Sequence, residues 1–342
     1  MKFPRGKLLR FLIAGVCLVW LGWIVSSLGP GRILQVTRQA NPTWLALSFL
    51  PLIARFLIWG VKWTLMLRRR GPVRFSHTLL ALLSGNFANL TTPTAKLAGG
   101  FLRAALIHRR TGWGMAVSYG WSLADQVTNV LGNLTFYGFL ALAATSLIPT
   151  SHRIHFLTTG IAALVAVSAM LALRGWAWNQ MQRPGISRWL ARFTPERFRT
   201  KGAEGPSAAW VLPVFEPLLH HGSTLRVAPK DLGLAACSFA SLCLANAVVL
   251  QALGADTPLV LVSVAVVIGY FTGTIIGTLG GIGVTEVALI KLYTVMGISP
   301  EIATAGALLH RASYYLVILL WGGTALVLEG RRKEGRTEVR SP

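Results

Sequence analysis

Five charged side chains, Arg55, Arg103, Asp125, Glu286 and Arg311, fall inside stretches that are otherwise apolar enough to sit in hydrocarbon. Insertion scales charge roughly 2.5 to 3.5 kcal/mol for such a residue at the centre of a spanning helix, so each calls for a partner or a watery cavity. Three arginines stand against two carboxylates. Asp125 is the natural counter-ion for Arg55 or Arg103, and Glu286 for Arg311. The surplus of guanidinium suits an anionic lipid headgroup, because the planar fork matches phosphate and carboxylate oxygens in pairs. Lys62 lies two turns beyond Arg55 on the same helical face and is read as snorkelling to the cytoplasmic edge.

Hydrogen-bonding groups gather around these charges. Ser118, Ser122, Asp125, Asn129 and Asn133 recur at spacings of three and four, which lays them along one stripe of a helix facing the protein interior or a cavity. Asn86, Asn89, Thr91, Thr92 and Lys96 precede Arg103, while Thr272, Thr274, Thr278 and Thr285 surround Glu286. Tyr314 and Tyr315 follow His310 and Arg311. No nucleophile and base cluster as a lipid-modifying enzyme would need, and the histidines 108, 152, 155, 220, 221 and 310 show no ligand spacing. The expectation is a binding or translocation site without enzymatic activity, metal or cofactor; an intramembrane lipid-modifying enzyme is the weaker alternative. No phosphate-binding loop signature for nucleotide occurs.

The elements that must hold these groups read as helices throughout. Of the 342 residues 53% are hydrophobic and only 13% charged, and the apolar runs are long enough to cross a bilayer. Spans are expected at 9–29, 43–67, 113–147, 154–174, 231–253 and 302–328. Two shorter, broken segments lie at 76–107 and 258–297. Gly85, Pro93, Gly99 and Gly100 interrupt the first, and Gly273, Gly277, Gly280, Gly281 and Gly283 the second. Around Gly99-Gly100 and Gly280-Gly281 the segments look like copies: a glycine pair, a charged residue soon after, and a glycine-marked turn at Gly112 or Gly297 before the next long helix. Paired, interrupted hydrophobic segments in two halves point to a transporter-type site near the bilayer midplane.

The formal charge of +22 would suggest nucleic acid in a soluble chain, but the basic residues stand in blocks beside spans, at 2–10, 68–74, 108–110, 174–230 and 331–340. That is the pattern of topology and of contact with anionic lipid at a cytoplasmic face. Placing every block in the cytoplasm requires 76–107 to enter and leave from that side and 258–297 from the other. The predicted fold class is thus an all-α polytopic membrane protein of about six spans plus two oppositely oriented re-entrant hairpins, with both termini cytoplasmic. It forms a single membrane domain over 1–342, with first half 1–174, a basic interfacial segment at 175–230, and second half 231–342. Within 175–230, Ile186, Trp189, Leu190 and Phe193 share one helical face, suited to lying on the cytoplasmic leaflet. Docking of an envelope-biosynthesis protein partner there is the alternative. Cys17, Cys237 and Cys243 lie within spans and read as apolar packers, and the first apolar stretch reads as a retained helix.

The segment Thr92-Pro93-Thr94-Ala95-Lys96-Leu97-Ala98-Gly99-Gly100-Phe101-Leu102-Arg103-Ala104, with Asp125 in the next helix, resembles the first signature of the lysylphosphatidylglycerol synthase transmembrane-domain, flippase-like family. Leu279-Gly280-Gly281-Ile282-Gly283-Val284-Thr285-Glu286, then Gly297 and Arg311, resembles its second. The resemblance implies a membrane domain that moves or presents lipids, and the expected location is a bacterial inner membrane. It does not carry over the aminoacyl-transfer activity, which belongs to a soluble domain this chain has no room for. Two departures stand out: Trp121-Ser122-Leu123-Ala124 precede Asp125 where relatives often carry an arginine, and Thr278-Leu279 replace a proline before the second glycines. The expected site is therefore Arg55, Asn89, Lys96, Gly99, Gly100, Arg103, Asp125, Asn129, Gly280, Gly281, Glu286 and Arg311, holding a phospholipid or other polar lipid, with a non-transporting accessory lipid binder as the alternative.

Overall fold

The computed structural model describes residues 29–92, 97–146, 150–181, 208–219, 229–276 and 283–328, together with Arg183 and a few positions before residue 29. Among them there is helix and no strand. The helices are α1 (Pro30–Gln39), α2 (Pro42–Leu47), α3 (Phe49–Arg68), α4 (Phe75–Thr91), α5 (Leu97–Thr111), α6 (Met115–Ala143), α7 (Thr150–Met181), α8 (Ala208–Leu219), α9 (Pro229–Ala252), α10 (Leu259–Ile276), α11 (Val284–Val295) and α12 (Pro300–Val317). The last continues through a π turn at Ile318–Gly322 to Leu328.

Among the described residues four stretches are long and apolar enough to cross a membrane: Pro42–Arg68, Arg153–Met181, Pro229–Ala252 and Pro300–Leu328. They include the predicted spans at 43–67, 154–174 and 302–328, and all but the last residue of 231–253. Helix α6 is as long, at 29 residues, but carries the polar stripe. The outer surface is apolar in the way lipid requires: α7 turns Ile154, Ile161, Val165, Met170, Leu173 and Trp176 outward, each more than half exposed. The predicted span 9–29 and the face of Ile186, Trp189, Leu190 and Phe193 fall outside the described residues.

Helices α3 and α9 form the spine, and three contacts fix them antiparallel. Arg69 at the end of α3 pairs with Asp231 at the start of α9, 2.6 Å apart. Midway, Ser238 donates to the Arg55 carbonyl at 3.0 Å. At the far end the Asn41 amide donates to the Ala252 carbonyl at 2.8 Å. The bundle thus has a first end, marked by Arg69 and Asp231, and a second end, marked by Asn41 and Ala252.

The two broken segments are helical hairpins attached at opposite ends. Helix α4 leaves the first end just after α3, and α5 comes back to it, since Trp113, in the short link from α5 to α6, lies under the Arg70 guanidinium at 5.7 Å. Helix α10 leaves the second end after α9. Helix α11 returns there, because Ala305, early in α12, packs with Val249, Leu253 and Ala40. Both return helices stop at a glycine in the left-handed region, Gly112 (φ 74°) and Gly297 (φ 88°), as the repeated glycine turns predicted.

Glycine is also required where α4 meets α5. A Cβ on Gly99 would overlap the Gly85 carbonyl and the Asn89 side chain, and one on Gly85 would overlap Arg103. The halves interlock, with α6 lying along α10 and the π turn after α12 lying along α4, where a Cβ on Gly322 would come 2.7 Å from the Leu83 carbonyl. Helices α7 and α8 pack outside this frame. Helix α8 lies inside the stretch read from sequence as a polar connection, and it docks across α6 where a Cβ on Gly120 would sit 2.6 Å from the Val214 carbonyl.

Candidate functional site

The tips of both hairpins reach one cavity of about 240 Å³ at the level of Arg55, halfway along the stretch Pro42–Arg68. Asn89 and Gly100 reach it from the α4–α5 tip, Gly273 and Thr285 from the α10–α11 tip. Asn129 and Asn133 of α6 face it from one side, and Tyr314 and Tyr315 of α12 from the other. The polar stripe of α6 divides by depth as its register demands: Ser118, Ser122 and Asp125 are fully buried in the packing, and Asn129 and Asn133 line the open space.

Behind the first tip sits a three-ion cluster. Arg103 Nη2 is 2.5 Å from Asp125 Oδ2, and its guanidinium stacks over Trp63 with 3.9 Å to the ring centre. Lys62 Nζ lies 2.8 Å from Asp125 Oδ1, 2.7 Å from Asn129 Oδ1 and 3.2 Å from the Asp125 carbonyl. Trp59 Nε1 donates to Asp125 Oδ2 at 2.9 Å. The structure corrects the reading of Lys62 as a snorkelling residue: its face of α3 turns inward against α6, so the amine is wholly buried and serves Asp125. It also settles the partner of Asp125, which is Arg103 and not Arg55.

Behind the second tip the same relation recurs with the signs exchanged. Glu286, in the first turn of α11, accepts from Arg311 Nε of α12 at 2.5 Å, as the sequence led us to expect. Arg311 Nη2 donates to the Tyr315 hydroxyl at 2.5 Å, and its guanidinium lies 4.7 Å from the Tyr315 ring and 5.6 Å from that of Tyr270. His310 turns away, with Nε2 3.0 Å from Asn246 Nδ2 and 3.1 Å from the Tyr270 hydroxyl. In each half, the returning hairpin helix is therefore tied to the next helix by a buried ion pair.

Among the described residues no carboxylate lies beside Arg55. Its guanidinium sits between the rings of Trp59, Phe239 and Tyr314, 5.8 to 5.9 Å from each centre. Nε and Nη1 are buried and make no hydrogen bond. On the first tip, Asn89 Oδ1 accepts the Gly99 amide at 2.8 Å, which satisfies one of the free donors at the start of α5.

Of the residues expected from sequence, Arg55, Asn89, Gly100, Arg103, Asn129 and Arg311 line the cavity together. Asp125 and Glu286 hold arginines from behind, and Gly99 makes the hairpin contact. Lys96, Gly280 and Gly281 lie outside the described residues. Sequence reasoning missed Trp59, Gln126, Ser238 and Tyr270 as lining groups. Tyr270 had a signal, being the tyrosine of a strongly apolar helix, where a hydroxyl needs a partner. Among the described residues no three histidine, cysteine or acidic side chains are placed to hold a metal. Cys237 and Cys243 carry free thiols.

The family profile described as the lysylphosphatidylglycerol synthase TM region matches residues 7–322. The chain belongs to this family. Proteins similar to it along nearly their whole length include a UPF0104 membrane protein of Pyrococcus horikoshii, 23% identical over 94% of this chain and 96% of that one. Two UPF0104 membrane proteins of Methanothermobacter thermautotrophicus are 24% and 23% identical, covering 96% and 94% of this chain and 94% and 95% of theirs. Membership and the apolar helices together make this an integral membrane protein. As a member of the lysylphosphatidylglycerol synthase TM family, the chain puts Gly100 and Arg103 of its first signature on the cavity wall and Glu286 of its second directly behind it. The second cation beside Asp125 is Lys62 of α3.

Proposed function

We propose that this protein is a lipid flippase, or lipid-binding transporter, that holds a polar headgroup in the arginine-lined cavity while the acyl chains stay in the bilayer. The observation that carries this reading is the convergence of two hairpin tips, from opposite ends of the bundle, on one cavity. Non-helical backbone at bilayer depth is tolerable only where protein covers it or water reaches it. A site closed on either side by a hairpin of opposite orientation has the parts that alternating access needs.

The charge balance supports an anionic group. Around the cavity the described residues supply Arg55, Lys62, Arg103 and Arg311 against Asp125 and Glu286. Buried charge that is not compensated is costly, so an anion in this space offsets part of the cost of the surplus cations. Val130, on the cavity wall and 41% exposed, gives the acyl chains an apolar path from the site to the membrane.

In this reading α4–α5 and α10–α11 are re-entrant hairpins of an inverted repeat in one membrane domain. The first end, with Arg68, Arg69, Arg70, Arg74, Arg109 and Arg110, faces the cytoplasm of a bacterial inner membrane and its anionic lipid. No enzymatic step is required of any residue.

The test is transbilayer movement of labelled phosphatidylglycerol and phosphatidylethanolamine in proteoliposomes against protein-free vesicles. Movement above the protein-free rate is expected. Lipid retained by the purified protein with no movement would replace transport with an accessory binding role.

A further inference from the structure

The arginines of the cavity are not equivalent, and the difference assigns one of them to the ligand. Arg103 and Arg311 each spend donors on a carboxylate and are fixed by it. Arg55 is fixed another way. Trp59, Phe239 and Tyr314 surround its guanidinium, and ring contacts of this kind attract the cation without consuming N–H groups. Its Nε and Nη1 are buried with nothing to bond, and leaving a buried donor unbonded is costlier for a charged group than for a neutral one. A buried polar group without a partner calls for an explanation, and a guanidinium on a cavity wall with no carboxylate beside it among the described residues has one in an anionic ligand.

The neighbouring amides point the same way. Asn89 Oδ1 is occupied by the Gly99 amide and Asn129 Oδ1 by Lys62, so both side chains are left with their NH₂ groups to offer the cavity. The site presents donors where a ligand would sit, and what complements donors is an acceptor with several oxygens and a negative charge.

We infer that Arg55 binds the phosphate diester of a membrane lipid through its guanidinium, with Asn89 and Asn129 as accompanying donors. This deepens the headgroup reading and rests on it. Its consequence is specific: the phosphate is common to glycerophospholipids, so the cavity would accept phosphatidylethanolamine, of zero net charge, as well as anionic phosphatidylglycerol, and refuse a diacylglycerol or a neutral glycolipid. Arg103 and Arg311, already paired, would act as positioning residues.

The experiment uses the full chain in nanodiscs of a neutral galactolipid doped with labelled phosphatidylglycerol, phosphatidylethanolamine or diacylglycerol, with bound label counted after purification from the discs. Wild type is compared with Arg55→Gln and Arg55→Lys, each checked for folding by its thermal midpoint. We expect both phospholipids to be retained and diacylglycerol not. Arg55→Gln should lose roughly ten- to hundredfold in retention of both, from the 1.5 to 3 kcal/mol of a hydrogen bond to a charged group. Arg55→Lys, which keeps the charge and loses the fork, should fall between. Unchanged retention in folded Arg55→Gln, or diacylglycerol bound as well as phospholipid, overturns the assignment.

A further arm adds inorganic phosphate at millimolar concentration. If radiolabelled phosphate binds the wild type and not Arg55→Gln while no lipid is retained, the role of Arg55 stands and the ligand is a soluble phosphate, which refutes the lipid reading alone.

Discussion

Removing the Asp125 charge should damage this protein more than removing either neighbouring cation, because one carboxylate serves two. In the native cluster Asp125 lies 2.5 Å from Arg103 Nη2 and 2.8 Å from Lys62 Nζ, and all three side chains are buried. Asp125→Asn strands both cations in a low-dielectric core, and breaking a buried pair from one side costs about 3 to 5 kcal/mol. Lys62→Met leaves the Arg103 pair intact. It gives up the bonds to Asn129 and to the Asp125 carbonyl and removes a like charge from beside Arg103, so about 1 to 2 kcal/mol is expected. The double variant should cost less than the sum, by about 1 to 3 kcal/mol, since the second change removes a cation the first left stranded. Reversible unfolding by sodium dodecyl sulfate in mixed micelles reads all three. A Lys62→Met variant as damaged as Asp125→Asn, or strict additivity, would refute the shared-carboxylate reasoning.

Other expectations follow from the same geometry. Gly99→Ala should destabilise the first hairpin by at least about 1 to 3 kcal/mol, because its Cβ meets the Gly85 carbonyl and backbone must move. Gly233→Ala, in α9 with nothing within 4 Å of the new methyl, should be neutral or gain up to about 1 kcal/mol; thermal midpoints in detergent compare the two. Asn89→Leu removes the cap on the Gly99 amide and should cost about 0.5 to 2 kcal/mol in the same measurement. Single cysteines at 72 and 112 should label with an impermeant maleimide from one side of the membrane, and single cysteines at 257 and 297 from the other. Labelling of 72 and 112 from opposite sides would mean that α4 and α5 do not form a hairpin returning to its own end.

Much of the frame was legible because it rests on local rules. Hydrophobic runs located the long helices, glycine spacing located the two broken helix pairs, and the glycine turns after them fell at Gly112 and Gly297. The stripe from Ser118 to Asn133 faced inward as a spacing of three and four requires. The Glu286 to Arg311 pair was legible because few acids were available to a buried arginine. What sequence could not supply was azimuth and cross-packing. Lys62 sits six residues before the end of α3, a distance an extended lysine spans to reach the interface, and only the packing of α3 on α6 turns it inward. The choice between Arg55 and Arg103 for Asp125 depended on how hairpin α4–α5 sits against α6, which no periodicity encodes. The aromatic surround of Arg55 joins residues of α3, α9 and α12 from distant parts of the chain. Helix α8, with Pro213 and Pro217 inside it, lies in the segment read as basic and interfacial, and its docking over Gly120 is a contact no local pattern encodes.

The account claims that the cavity between the hairpin tips is the route of a lipid headgroup. Asn133 lines that cavity, and Phe139, on the same helix, is 63% exposed on the outer surface. The decisive measurement is transbilayer movement of labelled phospholipid in proteoliposomes carrying wild type, Asn133→Trp or Phe139→Trp, matched for folded protein. Filling the cavity with Asn133→Trp should abolish movement while Phe139→Trp leaves it at the wild-type rate. Equal movement by the wild type and a folded Asn133→Trp would contradict the account.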